Sequence, residues 1–152
     1  MRYIFITKNP AQTRKIAAKL SREIFKLKSD KKAIVIGLIG ELGSGKTVFS
    51  QGFAKGLGIK ENITSPTFVL ERVYKLKAKS YKLFIHIDAY RLEKSKDLID
   101  LGFKNLIRDP KNIILIEWAD RVKSILPKNC IKIKFEHKDK DKRKIWMNRK
   151  IK

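Results

Sequence analysis

The sequence predicts an α/β domain built on a mixed, mainly parallel central sheet with antiparallel additions, and three observations predict it. Continuous apolar runs at residues 33–39 and 113–116 are typical of strands that are covered on both faces. Stretches with apolar residues at helical spacing lie between such runs. Segments in which apolar and polar residues alternate predict antiparallel strands. The expected architecture therefore has three layers, with the sheet between helices.

The first predicted elements are a short strand and a helix. The strand is the apolar run YIFI at residues 3–6. The helix is expected to begin after Asn9 as the cap, with Pro10 at its first position and Gln12 as the partner in a capping box. Apolar residues then recur at helical spacing, which supports the helix: Ile16, Leu20, Ile24 and Leu27.

A buried strand, a second helix and an antiparallel pair are predicted next. The strand at residues 33–39 leads to a helix over residues 46–57, which Gly58 is expected to close. Alternation over residues 68–74 and 81–88, with a lysine-rich turn between the two segments, predicts an antiparallel pair.

The C-terminal part is predicted to complete the sheet. A short helix is expected at residues 95–101, and Gly102 is expected to end it. The remaining predicted elements are a buried strand at residues 112–117, a short helix at residues 119–126, and a closing hairpin of residues 130–136 and 144–151.

Length and composition limit the class of protein. With 152 residues, of which 43% are hydrophobic and 34% charged, the chain is expected to form one domain, residues 1–152, that is neither disordered nor fibrous. The formal net charge of +22 favours a polyanionic partner such as nucleic acid. The lysines are spread along the chain, however, so a lysine-rich compositional bias explains this charge equally well.

The sequence favours a cytoplasmic protein without a membrane partner. No window approaches the roughly 18 apolar residues of a membrane span, and the apolar run near the N-terminus is too short for a signal peptide. Cys130 is the single cysteine, so an internal disulfide cannot form. These observations together indicate a reducing compartment.

The turn between the second strand and the second helix carries a phosphate-binding pattern. The motif GELGSGKT, residues 40–47, places glycines, a lysine and a hydroxyl at the spacing of a P-loop. Its glycines let backbone N–H groups converge on one anion at the start of a helix. Lys46 is placed to bridge terminal phosphates, and Thr47 can offer its hydroxyl to Mg²⁺. The expected nucleotide contacts are Glu41, Leu42, Gly43, Ser44, Gly45, Lys46 and Thr47.

Two acidic residues stand at the ends of predicted strands. The run LFIHID ends in Asp88, and NIILIE ends in Glu117. Ligands of such sheets lie beyond the carboxyl ends of the strands, so both carboxylates are expected to face the phosphates. With Thr47 they are the candidate metal ligands, and with Lys46 they are the candidate catalytic residues. The alternative is that each acid simply ends a strand in water.

The segment NITSPTFV, residues 62–69, lies between the second helix and the next strand. Thr64, Ser65 and Thr67 supply hydroxyls, and Pro66 stiffens the backbone. Such a segment can order around Mg²⁺ and the third phosphate and then relax after hydrolysis. The alternative is an ordinary turn before a strand.

The loop leaves more than one class of activity open. The motif that many guanine-specific proteins use is absent from the sequence, which favours ATP over GTP. A small-molecule kinase would use the same loop, although the chain has no obvious insertion of lid length. A basic RNA-binding protein without enzymatic activity is the third hypothesis, and it depends on charge alone.

Four ordered motifs give the chain a resemblance to a known family. They are GELGSGKT at residues 40–47, TSPTF at 64–68, HIDAYR at 86–91 and EWADR at 117–121. The sequence resembles, over essentially its whole length, the TsaE (YjeE) family of small bacterial P-loop ATPases. The resemblance implies a P-loop NTPase-like fold, with ATP/ADP and Mg²⁺ as cofactors.

The resemblance also implies a role in making threonylcarbamoyladenosine next to the anticodon of tRNA. In that family a separate transferase pair, TsaD with TsaB, transfers the threonylcarbamoyl group, and the ATPase binds and resets the complex. Contact with tRNA would then be indirect or weak. Asp88 resembles the essential acid of the family, Glu117 its second metal-side acid, and Trp118 a tryptophan near the nucleotide. The segment that contains Thr64 and Thr67 resembles its switch.

Two further residues resemble contacts on the base side of the nucleotide. Thr13 is the nearest equivalent of an N-terminal threonine, and Arg143 is the nearest equivalent of a residue in the closing hairpin. The sequence departs from the family at Asp120, where many members have glutamate. His86 and Trp146 are interpreted as structural, because a histidine in an alternating strand and an aromatic ring in a last strand usually pack.

Overall fold

The computed structural model describes residues 3–29, 31–65 and 70–149. The strands in these residues are β1 (Tyr3–Thr7), β2 (Ile34–Ile39), β3 (Glu71–Lys75), β4 (Leu83–Asp88), β5 (Asn112–Glu117), β6 (Ile131–His137) and β7 (Arg143–Met147). The helices are α1 (Pro10–Lys26), α2 (Lys46–Gly56), α3 (Ser95–Asp100) and α4 (Phe103–Arg108), with a 3-10 helix at Ala119–Ile125.

One sheet carries these strands in the order β1-β7-β6-β2-β5-β4-β3. The central pairs β6 with β2, β2 with β5, and β5 with β4 are parallel. At the two margins, β7 pairs antiparallel with β6 and β1, and β3 pairs antiparallel with β4. This confirms the predicted mixed sheet. The carboxyl ends of the parallel strands meet at one edge, so the loops that follow them lie together there.

Helices lie on both faces of the central strands, which confirms the three layers. On one face, α1 and α2 pack over a core that includes Ile36 and Phe53. On the other face, α3, α4 and the 3-10 helix pack over Val35 and Ile85. Within the described residues, the structure has no helix with the length and apolar character needed to cross a membrane.

Helix α1 begins where the sequence predicts, with one hydrogen bond that differs. The Asn9 side chain accepts from the backbone N–H of Gln12 at 2.9 Å, and Pro10 stands at the first position. The Gln12 side chain accepts from the backbone N–H of Lys8 at 2.7 Å, whereas a capping box would bring it to Asn9. The reciprocal bond therefore goes to the residue before the cap.

The buried face of α1 also differs from the predicted apolar face. Ile16 and Leu20 are only half-buried. A Cβ atom at Gly52 of α2 would lie 2.3 Å from Arg14 O, and one at Gly56 would lie 2.0 Å from the Ser21 hydroxyl. Because the two helices approach so closely, mostly small side chains of α1 face α2. The fully buried residues of α1 are Thr13, Ala17, Ser21 and Ile24.

Several predicted bounds shift in the structure. Strand β3 begins at Glu71, and residues 68 and 69 of the predicted strand lie outside the described residues. Strand β7 ends at Met147, and residues 150 and 151 likewise lie outside them. Helix α4 is an addition to the predicted elements, with Gly102 as its cap at a φ of 84°. The helix predicted at residues 119–126 is a 3-10 helix with a kink at Val122.

Candidate nucleotide-binding site

The glycine-rich turn joins the carboxyl end of β2 to the first residue of α2, which is the context of a P-loop. Gly43 and Gly45 have positive φ angles of 74° and 104°, which glycine adopts without steric cost. A Cβ atom at Gly40 would lie 2.6 Å from the Ser44 hydroxyl. The turn therefore needs glycine both for its positive φ angles and because a side chain at Gly40 would clash. It lies at the start of α2, and the N-terminus of a helix favours the binding of an anion.

Lys46 is the first residue of α2, and its side chain folds back over the turn. Its ammonium donates to Gly40 O, to Glu41 O at 2.8 Å and to the Ser44 hydroxyl at 3.4 Å. Burial lowers the pKa of Lys46. Four carboxylates oppose that shift: those of Glu117, Asp120, Asp88 and Glu41. The ammonium is held beside the loop by carbonyl groups that a phosphate can replace.

The indole of Trp118 covers the other side of Lys46. Its ring centroid lies 3.9 Å from Lys46 Nζ, a distance at which a cation is attracted to the ring face. Trp118 directly follows β5 and has a φ of 57°, which is uncommon for a residue with a side chain. The Tyr90 ring lies 5.0 Å from the indole, and the Arg121 guanidinium lies 5.5 Å from it. Contacts with Tyr90 and Arg121 therefore help to hold Trp118 against the P-loop lysine.

The Glu117 carboxylate is buried at the end of β5 and accepts hydrogen bonds at both oxygens. Thr47 Oγ1 donates to Oε2 at 3.0 Å, which joins the P-loop to this acid. Ser50 Oγ and His86 Nε2 each lie 2.8 Å from Oε1. Glu117 is 1% exposed, so these contacts take the place of water.

Asp88 ends the neighbouring strand β4 directly beside Glu117, its partner in the parallel register. The backbone N–H of Tyr90 donates to Asp88 Oδ1 at 2.9 Å, and the Ser65 hydroxyl donates to Oδ2. The two strand-end acids therefore face the same edge of the sheet, with Glu117 against the P-loop and Asp88 one strand further out.

The predicted switch segment reaches this edge through Ser65. Thr64 is exposed and lines a groove on the side of α2, where the Gln51 amide donates to Ile63 O at 3.1 Å. Thr67 lies outside the described residues, so its contact with the nucleotide stays a prediction.

Arg143 and Thr13 lie at one corner of the same edge. The Arg143 guanidinium donates to Gly43 O at 3.3 Å, which brings the closing hairpin to the P-loop. Arg143 pairs with Thr7 across β7 and β1, and the Thr7 hydroxyl lies 2.9 Å from the Thr13 hydroxyl. Thr13 is 2% exposed, so its hydroxyl is part of the packing between β1 and α1.

A cleft of about 380 Å³ gathers the charged groups. A larger groove of about 820 Å³ runs along α2 past Arg14 and Lys55, away from the buried acids. Size alone would favour the groove, but buried charges mark functional sites better than volume does. The lining of the smaller cleft is Leu42, Gly43, Gly45, Lys46, Thr47, Val48, Ser65, Asp88, Tyr90, Glu117 and Trp118.

The donors in the cleft fit Mg²⁺. The Thr47 hydroxyl and the carboxylates of Glu117 and Asp88 are all oxygen ligands, and Mg²⁺ takes one or two carboxylates together with phosphate oxygens and water. No group of three or more His, Cys, Asp and Glu side chains could hold a metal ion by itself in the described parts of the chain.

Ser50 belongs to the site although the sequence does not single it out. It follows Lys46 by four residues, so one turn of α2 puts both on the same face. That spacing is the signal that could have found it. Tyr90 packs against Trp118, with ring centroids 5.0 Å apart.

The fold and the P-loop with its two strand-end acids define a protein of the P-loop class. The model of the family described as Threonylcarbamoyl adenosine biosynthesis protein TsaE matches residues 7–145. The chain belongs to the TsaE family, which confirms the resemblance of its four motifs.

Individual relatives agree with this family. The Treponema pallidum tRNA threonylcarbamoyladenosine biosynthesis protein TsaE is 42% identical over 99 residues, covering 65% of this chain and 70% of the relative. The Bacillus subtilis protein of the same name is 34% identical over 139 residues, covering 91% and 80%. The crystal structure of Bacillus subtilis YdiB superposes with a TM-score of 0.73 at 28% identity, covering 97% of this chain and 84% of YdiB.

Proposed function

We propose that this protein is a magnesium-dependent ATPase required for the threonylcarbamoyladenosine modification of tRNA. The observation that carries the proposal is the 3.0 Å hydrogen bond from Thr47 Oγ1 to Glu117 Oε2. It joins the P-loop hydroxyl to a strand-end acid, as in sites that hold the metal of a nucleoside triphosphate. The names of the Treponema pallidum and Bacillus subtilis relatives support the role in tRNA modification.

Lys46 and the P-loop hold the phosphates in this proposal. The Lys46 ammonium exchanges the carbonyl groups of Gly40 and Glu41 for the terminal phosphates of ATP. Because it already lies between the loop and the Trp118 ring, a small movement is sufficient. The start of α2 adds its dipole to the same anion.

Thr47, Glu117 and Asp88 form the metal side. Mg²⁺, when bound there, neutralises charge on the phosphates. Attack of a water oxygen on the terminal phosphorus breaks the bond to the bridging oxygen and gives ADP and phosphate, with a proton of the water released to solvent. Asp88 is bonded to Ser65 of the switch segment, so loss of the third phosphate would be transmitted to that segment.

We propose that a TsaD-TsaB-like transferase complex is the partner and that contact with tRNA is indirect or weak. The threonylcarbamoyl transfer belongs to the partner in this scheme, and the single thiol of this chain is not placed for covalent chemistry. Cys130 is 2% exposed, and burial raises its pKa to about 11. A buried neutral thiol is a poor nucleophile.

The test is ATP hydrolysis by the protein alone, with the transferase pair, and with the pair plus tRNA. We expect slow hydrolysis alone and clear stimulation in the complex, with Lys46→Ala in the same complex as the background control. Equal rates of ATP hydrolysis in all three mixtures would contradict the proposal that the transferase complex is the partner. Transfer of phosphate to a metabolite, detected by product analysis, would replace the whole proposal by a kinase.

A further inference from the structure

The two oxygens of the Glu117 carboxylate have different sets of donors. Oε2 faces the P-loop, where Thr47 donates at 3.0 Å. Oε1 faces the protein interior, where Ser50 Oγ and His86 Nε2 both lie at 2.8 Å. The oxygen on the ligand side thus has one partner, and the oxygen on the inner side has two.

The Ser50 hydroxyl has to share its proton. Its Oγ lies 2.9 Å from Lys46 O, the carbonyl one turn earlier in α2, and 2.8 Å from Glu117 Oε1. A hydroxyl has a single proton, and both of these partners are acceptors when the carboxylate is ionised. Each time Ser50 donates to the helix carbonyl, Oε1 loses that bond. Ser50 alone therefore does not fix the carboxylate.

His86 is the donor without a competing acceptor. Its side chain is fully buried on β4, and its ring stacks on Phe84 with centroids 6.3 Å apart and planes 16° apart. Among the described residues, Nδ1 has no hydrogen-bond partner. Glu117 Oε1 is an acceptor 2.8 Å from Nε2, so this contact is a hydrogen bond when the ring carries a proton on Nε2, and that proton points to Oε1.

We propose that His86 is a positioning residue that locks the Glu117 carboxylate for the metal of the bound nucleotide. It holds Oε1 inward, and this turns Oε2 toward Thr47, where the ion of the proposed function would lie. The inference rests on that proposed function. Loss of the His86 donor frees the carboxylate to rotate, so Mg²⁺ binds less tightly while the P-loop still binds phosphate.

The experiment is calorimetric titration of ADP without Mg²⁺ and with increasing Mg²⁺. His86→Phe keeps an aromatic ring beside Phe84 and deletes the donor. We expect a rise of roughly 10- to 100-fold in the Mg²⁺ concentration that gives half of the maximal change in ADP affinity. This is the usual range for loss of a group that orients a metal ligand. The affinity for ADP without Mg²⁺ should stay as in the wild type. His86→Gln restores an N–H donor and should recover part of the effect, and Ser50→Ala should give a smaller change.

The result that overturns the proposal is an unchanged Mg²⁺ dependence in a folded His86→Phe variant while Glu117→Gln loses it. A wild-type protein that binds no ADP, or binds it without any Mg²⁺ effect, would instead contradict the proposed function. A measurement on the wild type covers the case of a variant that does not fold. Imidazole ¹⁵N spectra, assigned with His137→Gln, should show a proton on His86 Nε2, and an Nε2 that carries no proton would overturn the proposal.

Discussion

The proposed phosphate end of the candidate site and its proposed base end are built in different ways. At the phosphate end, Lys46, Asp88 and Glu117 are between 1% and 5% exposed, and each contacts fixed neighbours. At the base end, Arg143 is half-buried and donates to carbonyl groups of its own hairpin turn and to Gly43 O at distances of 3.1 to 3.5 Å.

This difference indicates which end of the site is preorganised for its ligand. A charge held among buried partners needs little reorganisation when the ligand arrives, whereas a half-exposed guanidinium has to be ordered by the ligand. We therefore expect the phosphate end to supply most of the affinity and the base end to supply a modest preference for one base. The predictions below test that division, from the largest expected effect to the smallest.

Lys46→Ala should remove nucleotide binding, because it leaves the triphosphate charge uncompensated in a site already built for an anion. The readout is thermal stabilisation by ATP and Mg²⁺. A ligand at about 100 times its dissociation constant adds about 2.7 kcal/mol to the free energy of unfolding, and the variant should lose this gain. The matched control is Lys55→Ala, an exposed lysine of the same helix. A full thermal shift and full hydrolysis in Lys46→Ala would make the P-loop assignment wrong.

Asp88→Asn and Glu117→Gln should each reduce Mg²⁺-dependent hydrolysis by about 100-fold, since each swap keeps the size and deletes the charge. Glu117→Gln should also lose some stability, because its amide NH₂ would face either the Thr47 donor or the donors of Ser50 and His86, depending on which oxygen it replaces. Hydrolysis at limiting Mg²⁺ and the melting curve are the two measurements.

The controls for these acids are exposed residues of the same type, Asp100→Asn and Glu93→Gln. They should match the wild type in both measurements. If Asp88→Asn and Glu117→Gln also hydrolyse ATP at the wild-type rate, the two residues are ordinary strand ends, and the phosphate end is no better prepared than the base end.

Trp118 should report nucleotide binding by fluorescence, because its ring lies 3.9 Å from the ammonium that moves to the phosphates. Trp146 lines a different cleft with Gly40, Glu41 and Ser44. Trp146 therefore lies near the P-loop although it stands in the last strand. Proteins with a single tryptophan are needed to separate its signal from that of Trp118. We expect a saturable, Mg²⁺-dependent signal in Trp146→Phe and little signal in Trp118→Phe. No signal in Trp146→Phe, with binding shown by calorimetry, would place Trp118 outside the site.

The sequence indicates which residues lie together at the proposed phosphate end because that information is local. A P-loop is one contiguous motif, and Asp88 and Glu117 are each the last residue of an apolar strand, so their direction follows from a parallel sheet. The bonds of Glu117 to Ser50 and His86 depend on three separate elements, and their distances follow from the strand register and from the seating of α2. No single stretch of sequence contains that information.

The base end was less predictable for a related reason. Thr13 lies on a face of α1 that is set by the glycines of α2, and the apolar spacing of α1 alone indicates a different face. The Thr13 hydroxyl is hydrogen-bonded to the Thr7 hydroxyl, so a contact between Thr13 and the nucleotide would require this hydrogen bond to rearrange. Arg143 comes close to the P-loop only because β7 is placed beside β6 and β1.

The smallest expected effect belongs to Arg143→Ala. Its bond to Gly43 O is 3.3 Å long and lies near the surface, and contacts of this kind contribute at most about 1 kcal/mol, or roughly fivefold in affinity. We expect ADP affinity to fall by no more than that, the preference for ADP over GDP to narrow, and the affinity for pyrophosphate to stay the same. Arg149→Ala, an exposed arginine just after β7, is the control. A loss of affinity that is equal for ADP and pyrophosphate would show that Arg143 supports the phosphate loop, and the division between the two ends would then fail at this residue.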